Sequence, residues 1–155
     1  MAVRLRITSD GRVEVDGYIA SLDYDVRGAI TFLVDTGSQK TILGPRDAET
    51  LGFPAERFPP YTGPPLIGIG GKGKPFDAGP CQIVLGDAEI VEVEQVLYFR
   101  SEKEVRVRTR GGGARRERRE RVFALPSLLG TDILRKRRCV LQVNYGDSTG
   151  ELRPQ

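Results

Sequence analysis

Apolar residues recur at every second position through Val3, Leu5 and Ile7, and again at Val13 and Val15 after the polar break Ser9-Asp10-Gly11. A period of two puts one face of a strand against a core and the other in water, so two such runs around a Ser-Asp-Gly break predict an N-terminal β-hairpin. The next run, AITFLV from Ala29 to Val34, is almost continuously apolar and stops abruptly at Asp35-Thr36-Gly37-Ser38. That pattern predicts a strand buried on both faces that delivers Asp35 to the interior. Pro45 to Gly52 has proline at the first helical position, acids early and glycine just past the end, which predicts a short helix. FPAERFPPYTGPPL, Phe53 to Leu66, holds too much proline for a helix or a central strand and reads as an ordered surface connection. Further on, CQIVLGDAEIVEVEQVLYF predicts a hairpin turning at Gly86-Asp87. SLLGTDILRKRR predicts a buried strand end running into a short helix, and CVLQVNYGDSTGELR a closing hairpin around Gly146 to Gly150. The chain therefore reads as mainly β, with one or two short helices and no internal repeat.

Length and composition narrow the picture. At 155 residues the chain is expected to form one domain, spanning 1–155, with a core that needs no disulfide or metal. No apolar run approaches the roughly 20 residues of a membrane span. The start, MAVRLRITSDGR, alternates charged and apolar residues instead of building a signal-peptide core. A soluble, cytoplasmic protein without a membrane association is the expectation. There is no histidine, which excludes serine and cysteine hydrolases that rely on a His base, and His-ligated zinc. Cys81 and Cys139 lie far apart with no C-x-x-C pattern and are expected reduced, at least one of them buried; neither a metal nor a cofactor is implied.

The net charge of +3 is unevenly spread. Residues 100–121, RSEKEVRVRTRGGGARRERRER, hold ten Lys/Arg against four Asp/Glu, so the rest of the chain is slightly acidic. This stretch is expected to be a basic, mobile, solvated insertion between strands at about 100–121. Nucleic acid is its functional alternative, but Phe99 and Phe123 lie outside it, so it lacks the interleaved aromatics that stack on single strands.

GIGGKGKP, Gly68 to Pro75, fits G-x-G-x-x-G through Gly68, Gly70 and Gly73 and nearly fits a phosphate loop. A phosphate loop needs a strand feeding it, a helix leaving it and a hydroxyl after its lysine. Here Pro64-Pro65 precede the run and Pro75, Gly79 and Pro80 come after it, so neither flank fits. The other use of clustered glycine is a flexible hairpin tip whose backbone approaches a ligand closely. Gly68, Gly70, Gly71 and Lys72 read as such a tip, with Leu66, Ile67 and Ile69 in the apolar arm before it and Phe76 in the arm after it.

An acid at the end of a buried apolar strand is a costly arrangement that ordinary cores avoid, although Asp-Thr-Gly alone is also a common turn. FLVDTGS, then Thr41-Ile42-Leu43, the short helix, the glycine hairpin and SLLGTDIL together resemble the retropepsin-like aspartic proteases in order and spacing. LLGTDILRKRRC is similar in particular to the protease domain of the eukaryotic DNA-damage-inducible, ubiquitin-linked proteins. The resemblance covers about 29–76 and 125–152, and the N-terminal hairpin is compatible with it. It implies a closed acid-protease barrel of retropepsin type with a β-hairpin flap. It further implies Asp35, Thr36 and Gly37 as the catalytic loop, Ile67 to Lys74 as the flap over an extended peptide or protein substrate, and Leu128-Leu129-Gly130 as the supporting motif. Because the chain offers one such Asp, it also implies a C2 homodimer with one catalytic Asp from each copy. Viral members commonly pair an Asp two residues after the motif glycine with an Arg after the LLG-type glycine; here Gln39 and Thr131 stand there, a neutral replacement. Asp132 is expected to cap the short helix or to serve an interface. The alternative to an aspartic endopeptidase is a dimeric peptide-binding module of the same fold that does not cleave.

Overall fold

The computed structural model describes residues 2–66, 75–100 and 125–155. The flap expectation at Ile67–Lys74 and the basic insertion lie outside the described residues, except for Arg100. The expected N-terminal hairpin is present: β1 (Val3–Ile7) pairs antiparallel with the start of β2 (Val13–Ser21), burying Val3, Leu5, Val13 and Val15. β2 then pairs along most of its length with β3 (Arg27–Val34), from Glu14 opposite Leu33 to Ala20 opposite Arg27.

β3 corrects one expectation. Its strand is not buried on both faces: Ile30 and Phe32 enter the core, Ala29 and Thr31 face solvent, and Leu33 and Val34 are half-buried. Among the described residues of the single chain, one face of this strand has little against it, so the apolar run alternates in environment although not in composition.

β4 (Ile42–Leu43) leads into helix α1 (Pro45–Leu51). Proline stands at the helix start, where its missing N–H costs nothing, and Gly52 comes next in the left-handed region at φ 86°, donating to the carbonyls of Ala48 and Glu49. The proline-rich connection is more than a surface strap, which corrects the second expectation. It makes a 3-10 turn at Ala55–Arg57 and buries Phe53 and Phe58. The Phe58 ring lies 5.3 Å from that of Tyr98 and 5.7 Å from that of Tyr24, so the segment anchors one end of the core through tilted and edge-on aromatic contacts.

The central hairpin is longer than its apolar pattern indicates. β5 (Pro75–Leu85) and β6 (Val91–Phe99) pair from Pro75 opposite Phe99 to Ile83 opposite Val91, turning at 86–90. β7 (Leu128–Leu129), α2 (Thr131–Lys136), β8 (Cys139–Asn144) and β9 (Thr149–Pro154) match the sequence pattern closely.

The strand order is β3-β7-β4-β6-β5-β2-β1-β9-β8, and because β2 also pairs with β3, six strands close into a barrel. β1, β9 and β8 extend from β2 as an antiparallel layer. Side chains from both parts meet in one core, with Val15, Ile19, Phe32, Leu43, Ile83, Val96, Leu129 and Leu152 essentially inaccessible to solvent. β7 is short yet decisive: it pairs parallel with β3, so the turn that ends β3 and the helix after β7 emerge side by side. Among the described residues no helix is long and apolar enough to cross a membrane.

Candidate functional site

β3 stops where the backbone turns at Asp35. The Asp35 N–H donates to the Leu129 carbonyl at 3.1 Å, and the Ser38 N–H then donates to the Asp35 carbonyl at 3.1 Å, closing a tight turn over Asp35-Thr36-Gly37-Ser38. The Gly37 N–H donates to the Asp35 carboxylate Oδ1 at 2.8 Å. The carboxylate is therefore aimed by its own turn, an arrangement that short Asp side chains favour. Asp35 is half-buried while Thr36 and Gly37 are exposed, so in the single chain the carboxylate sits at a surface and not in the interior that the apolar run led one to expect.

Residues 38–41 hold the turn in place. Ser38 is buried; its hydroxyl donates to the Lys40 carbonyl at 2.7 Å, and its carbonyl accepts the Thr131 N–H at 2.8 Å. Thr41, fully buried, donates its N–H to Asp132 Oδ2 at 2.9 Å and its hydroxyl to Asp132 Oδ1 at 2.8 Å. The same hydroxyl oxygen accepts the Gly130 N–H at 3.2 Å. Five hydrogen bonds thus staple residues 35–41 to residues 129–132. Gly130 permits this closeness: a Cβ there would lie 2.4 Å from the Lys40 carbonyl carbon and 2.5 Å from its oxygen.

Asp132 does not cap α2 from the N-cap position. The N-cap is Gly130, which has no side chain to offer, and Asp132 lies one residue into the helix. Its Oδ1 accepts the Ile133 N–H at 2.9 Å, satisfying one of the orphan donors of the first turn, while both carboxylate oxygens hold Thr41. Gln39 is exposed, and Thr131 contributes its backbone N–H to the Ser38 carbonyl. The neutral pair at these positions is therefore accompanied by a charged tie a residue or two further along each segment.

A second tie escaped the sequence altogether. Ser127 is fully buried; its hydroxyl donates to Asp47 Oδ2 at 2.5 Å and accepts the Gly44 N–H at 2.9 Å, and its carbonyl accepts the Leu33 N–H at 2.9 Å. It joins α1 and β3 to the chain entering β7, and nothing local in Leu125-Pro126-Ser127 announces that role. Beside it a small apolar cluster of Ile42, Leu97 and Leu128 carries the half-buried Leu33, Leu66, Phe99 and Leu125 on its margin.

Of the residues singled out in the sequence, Asp35, Thr36, Gly37, Leu128, Leu129 and Gly130 come together at the β3–β7 junction. Ile67, Gly68, Ile69, Gly70, Gly71 and Lys72 lie outside the described residues, but the strand that leaves them, β5, begins at Pro75 beside the end of β6. Cys81 is buried and Cys139 half-buried, both as free thiols, and burial with the nearby Asp23 and Asp77 charges pushes the Cys81 thiol up to about 12. Among the described residues no group of acids and cysteines is arranged to hold a metal ion.

No protein-family model matches the chain, and no curated protein matches it. Among solved structures, it is similar to the crystal structure of a retropepsin-like aspartic protease from Rickettsia conorii, with a TM-score of 0.57, 16% sequence identity, and coverage of 98% of this chain and 90% of that one. At that identity the likeness is one of fold: a mainly β, closed six-stranded barrel of retropepsin type with two helices.

Proposed function

We propose that the protein is an aspartic endopeptidase that works as a homodimer, with Asp35 of each copy supplying half of the catalytic pair. The observation that carries this reading is the Asp35 turn: an acid at the end of a barrel strand, its carboxylate held by the Gly37 N–H and its loop stapled to 129–132, left half-exposed at a surface. An ordinary turn-capping Asp needs no such scaffold, and the five ties are a means of holding a reactive carboxylate to a fixed geometry.

Across a two-fold axis two such carboxylates a few Å apart share one proton, because two negative charges so close repel. The ionised member takes a proton from a bound water, whose oxygen adds to the scissile carbonyl carbon. The protonated member donates to the carbonyl oxygen. As the tetrahedral species collapses, one of its hydroxyls returns a proton to the ionised carboxylate, the C–N bond breaks and the protonated carboxylate gives its proton to the amine nitrogen, which leaves the pair with its one shared proton. These steps call on no histidine, metal or cofactor. Thr36 would hold the two turns together across the axis, and Gly37 would let substrate backbone approach. Residues 67–74 would close over an extended peptide, with strand-like main-chain pairing for affinity and the apolar margin at Leu33, Leu66 and Leu125 for side-chain contacts.

The experiment is cleavage of unfolded casein or a peptide library from about pH 3 to 8, the range in which a carboxylate pair passes through its shared-proton form, beside Asp35→Asn and a pepstatin-type inhibitor. Activity that Asp35→Asn abolishes and the inhibitor suppresses is expected. A folded, dimeric wild-type protein that binds peptides and cleaves none would instead make it a binding module of the same fold.

A further inference from the structure

The Asp35 turn hangs on two rungs of one parallel ladder. The Leu33 N–H donates to the Ser127 carbonyl at 2.9 Å, and the Asp35 N–H to the Leu129 carbonyl at 3.1 Å. The Thr41–Asp132 contacts brace the second rung. The first is braced by α1, through an arrangement the helix itself does not require. Gly44 is the N-cap and Asp47 the third helical residue, a position from which an acid ordinarily reaches back to the N-cap N–H. Here the Ser127 hydroxyl stands between the two. Its oxygen accepts the Gly44 N–H at 2.9 Å and its proton goes to Asp47 Oδ2 at 2.5 Å, while Asp47 makes no hydrogen bond to its own helix. Gly44 lets the segments touch, since a Cβ there would lie 2.4 Å from the Leu125 carbonyl oxygen and 2.9 Å from the Ser127 nitrogen. What the brace holds is apolar. Leu33 and Leu125, both half-buried, stand on the margin of the Ile42, Leu97 and Leu128 cluster, and Leu33 lies two residues from Asp35, on the same side of an extended chain.

We propose that Asp47, acting through the Ser127 hydroxyl, is a positioning residue for this wall: it sets where Leu33 and Leu125 stand relative to Asp35, and with that the selection for a large apolar side chain beside the cleaved bond. The inference rests on the peptide-cleaving reading above and adds to it a residue on α1, outside the Asp35 turn. The chemistry of the serine explains why an acid is needed. Its hydroxyl has one proton, and a charged acceptor fixes where that proton points, which leaves the oxygen lone pairs for the Gly44 N–H. Without Asp47 the hydroxyl can turn; without Ser127 the Gly44 N–H has no partner. Either loss loosens residues 125–127 from α1, and Leu33 with them, while the Thr41–Asp132 contacts still hold the carboxylate. Substrate binding then weakens equally in the ground state and the transition state, a loss that raises KM and leaves kcat unchanged.

The test is steady-state kinetics of Asp47→Ala, Asp47→Asn and Ser127→Ala on two peptides that differ only in leucine or alanine beside the scissile bond. Wild type should prefer the leucine peptide. Asp47→Ala and Ser127→Ala should each raise KM for it about tenfold with kcat within about twofold, and leave KM for the alanine peptide nearly unchanged, so that the preference collapses. Asp47→Asn, whose amide oxygen still accepts the Ser127 proton, should stay within about threefold of wild type. The double variant Asp47→Ala/Ser127→Ala should be no worse than either single one, because both break one unit. Ser127 is fully buried, so if its variant fails to fold, the half-buried Asp47 carries the test. A variant that lost stability alone would lower the apparent kcat on both peptides alike. That result, a wild type without the leucine preference, or an Asp47→Ala protein that keeps it, overturns the inference and leaves the aspartic peptidase reading standing. Should wild type bind the peptides and cleave neither, their dissociation constants replace KM: a leucine preference that Asp47→Ala abolishes keeps the wall and sinks the peptidase reading. A protein that neither binds nor cleaves them overturns both.

Discussion

Replacing Asp132 by alanine removes three accepted hydrogen bonds at once, from the Thr41 N–H, the Thr41 hydroxyl and the Ile133 N–H, all at 2.8 to 2.9 Å. Hydrogen bonds to a charged acceptor contribute about 1.5–3 kcal/mol each when buried, but the three losses differ. The Ile133 N–H belongs to a helix first turn and recovers much of its loss in water. Thr41 is fully buried, so its N–H stays desolvated and unpaired at a cost of about 1–3 kcal/mol, and its hydroxyl loses one acceptor while still accepting from Gly130. Together Asp132→Ala should lower stability by about 2–4 kcal/mol. Asp132→Asn should recover less than half of it, because its amide NH2 must face either the Thr41 N–H or the Ile133 N–H, donor against donor. The assay is urea unfolding at one fixed protein concentration, since a dimer's stability moves with concentration. Thr41→Val completes a double-mutant cycle, and a coupling of about 1 kcal/mol or more is expected for residues in direct contact. An Asp132→Ala loss below about 0.5 kcal/mol, the range of ordinary surface substitutions, or additivity in the cycle, would refute the view that this carboxylate clamps the Asp35 loop.

Gly130→Ala should be at least as damaging, since its Cβ would press into Lys40 backbone at 2.4 Å; a loss of about 3 kcal/mol, or roughly 10 °C in Tm, is expected, and a shift within about 2 °C would contradict the close approach of the two backbones. Asp16 is held below the usual carboxylate range by the hydrogen bond from Thr31 and then by Arg6, so its contribution is complete above about pH 4 and is lost as pH falls through the folded value. Asp16→Asn should accordingly lower Tm by about 1–2 °C at pH 7, with the difference from wild type closing below about pH 4; a gap that widens in acid would mean that folding does not favour the ionised carboxylate. The raised Cys81 thiol should resist alkylation at about pH 8 in the native protein while the half-buried Cys139 reacts slowly, and urea should expose both; mass spectrometry finding Cys81 labelled first would show that its pocket opens.

The sequence by itself determined the local elements, because each is dictated by contacts within a few residues. Period two made the β1–β2 and β8–β9 hairpins legible. Proline at the start and glycine at the end marked α1, and the abrupt change from AITFLV to Asp-Thr-Gly marked the place where a carboxylate would sit. Tertiary structure alone decided what holds that carboxylate. The Thr41–Asp132 and Ser127–Gly44 contacts span 91 and 83 residues, and no local pattern pairs side chains at that separation. They arise because β7 lies parallel to β3 and brings the chain after Leu129 alongside the chain after Val34. The same holds for burial. Phe53 and Phe58 sit among prolines that read as surface, yet they enter the core because the fold brings Tyr24 and Tyr98, distant in sequence, against the Phe58 ring. The apolar β3 run, read as buried on both faces, is covered on one, because composition records how apolar a strand is and only the assembled sheet determines which of its faces is covered.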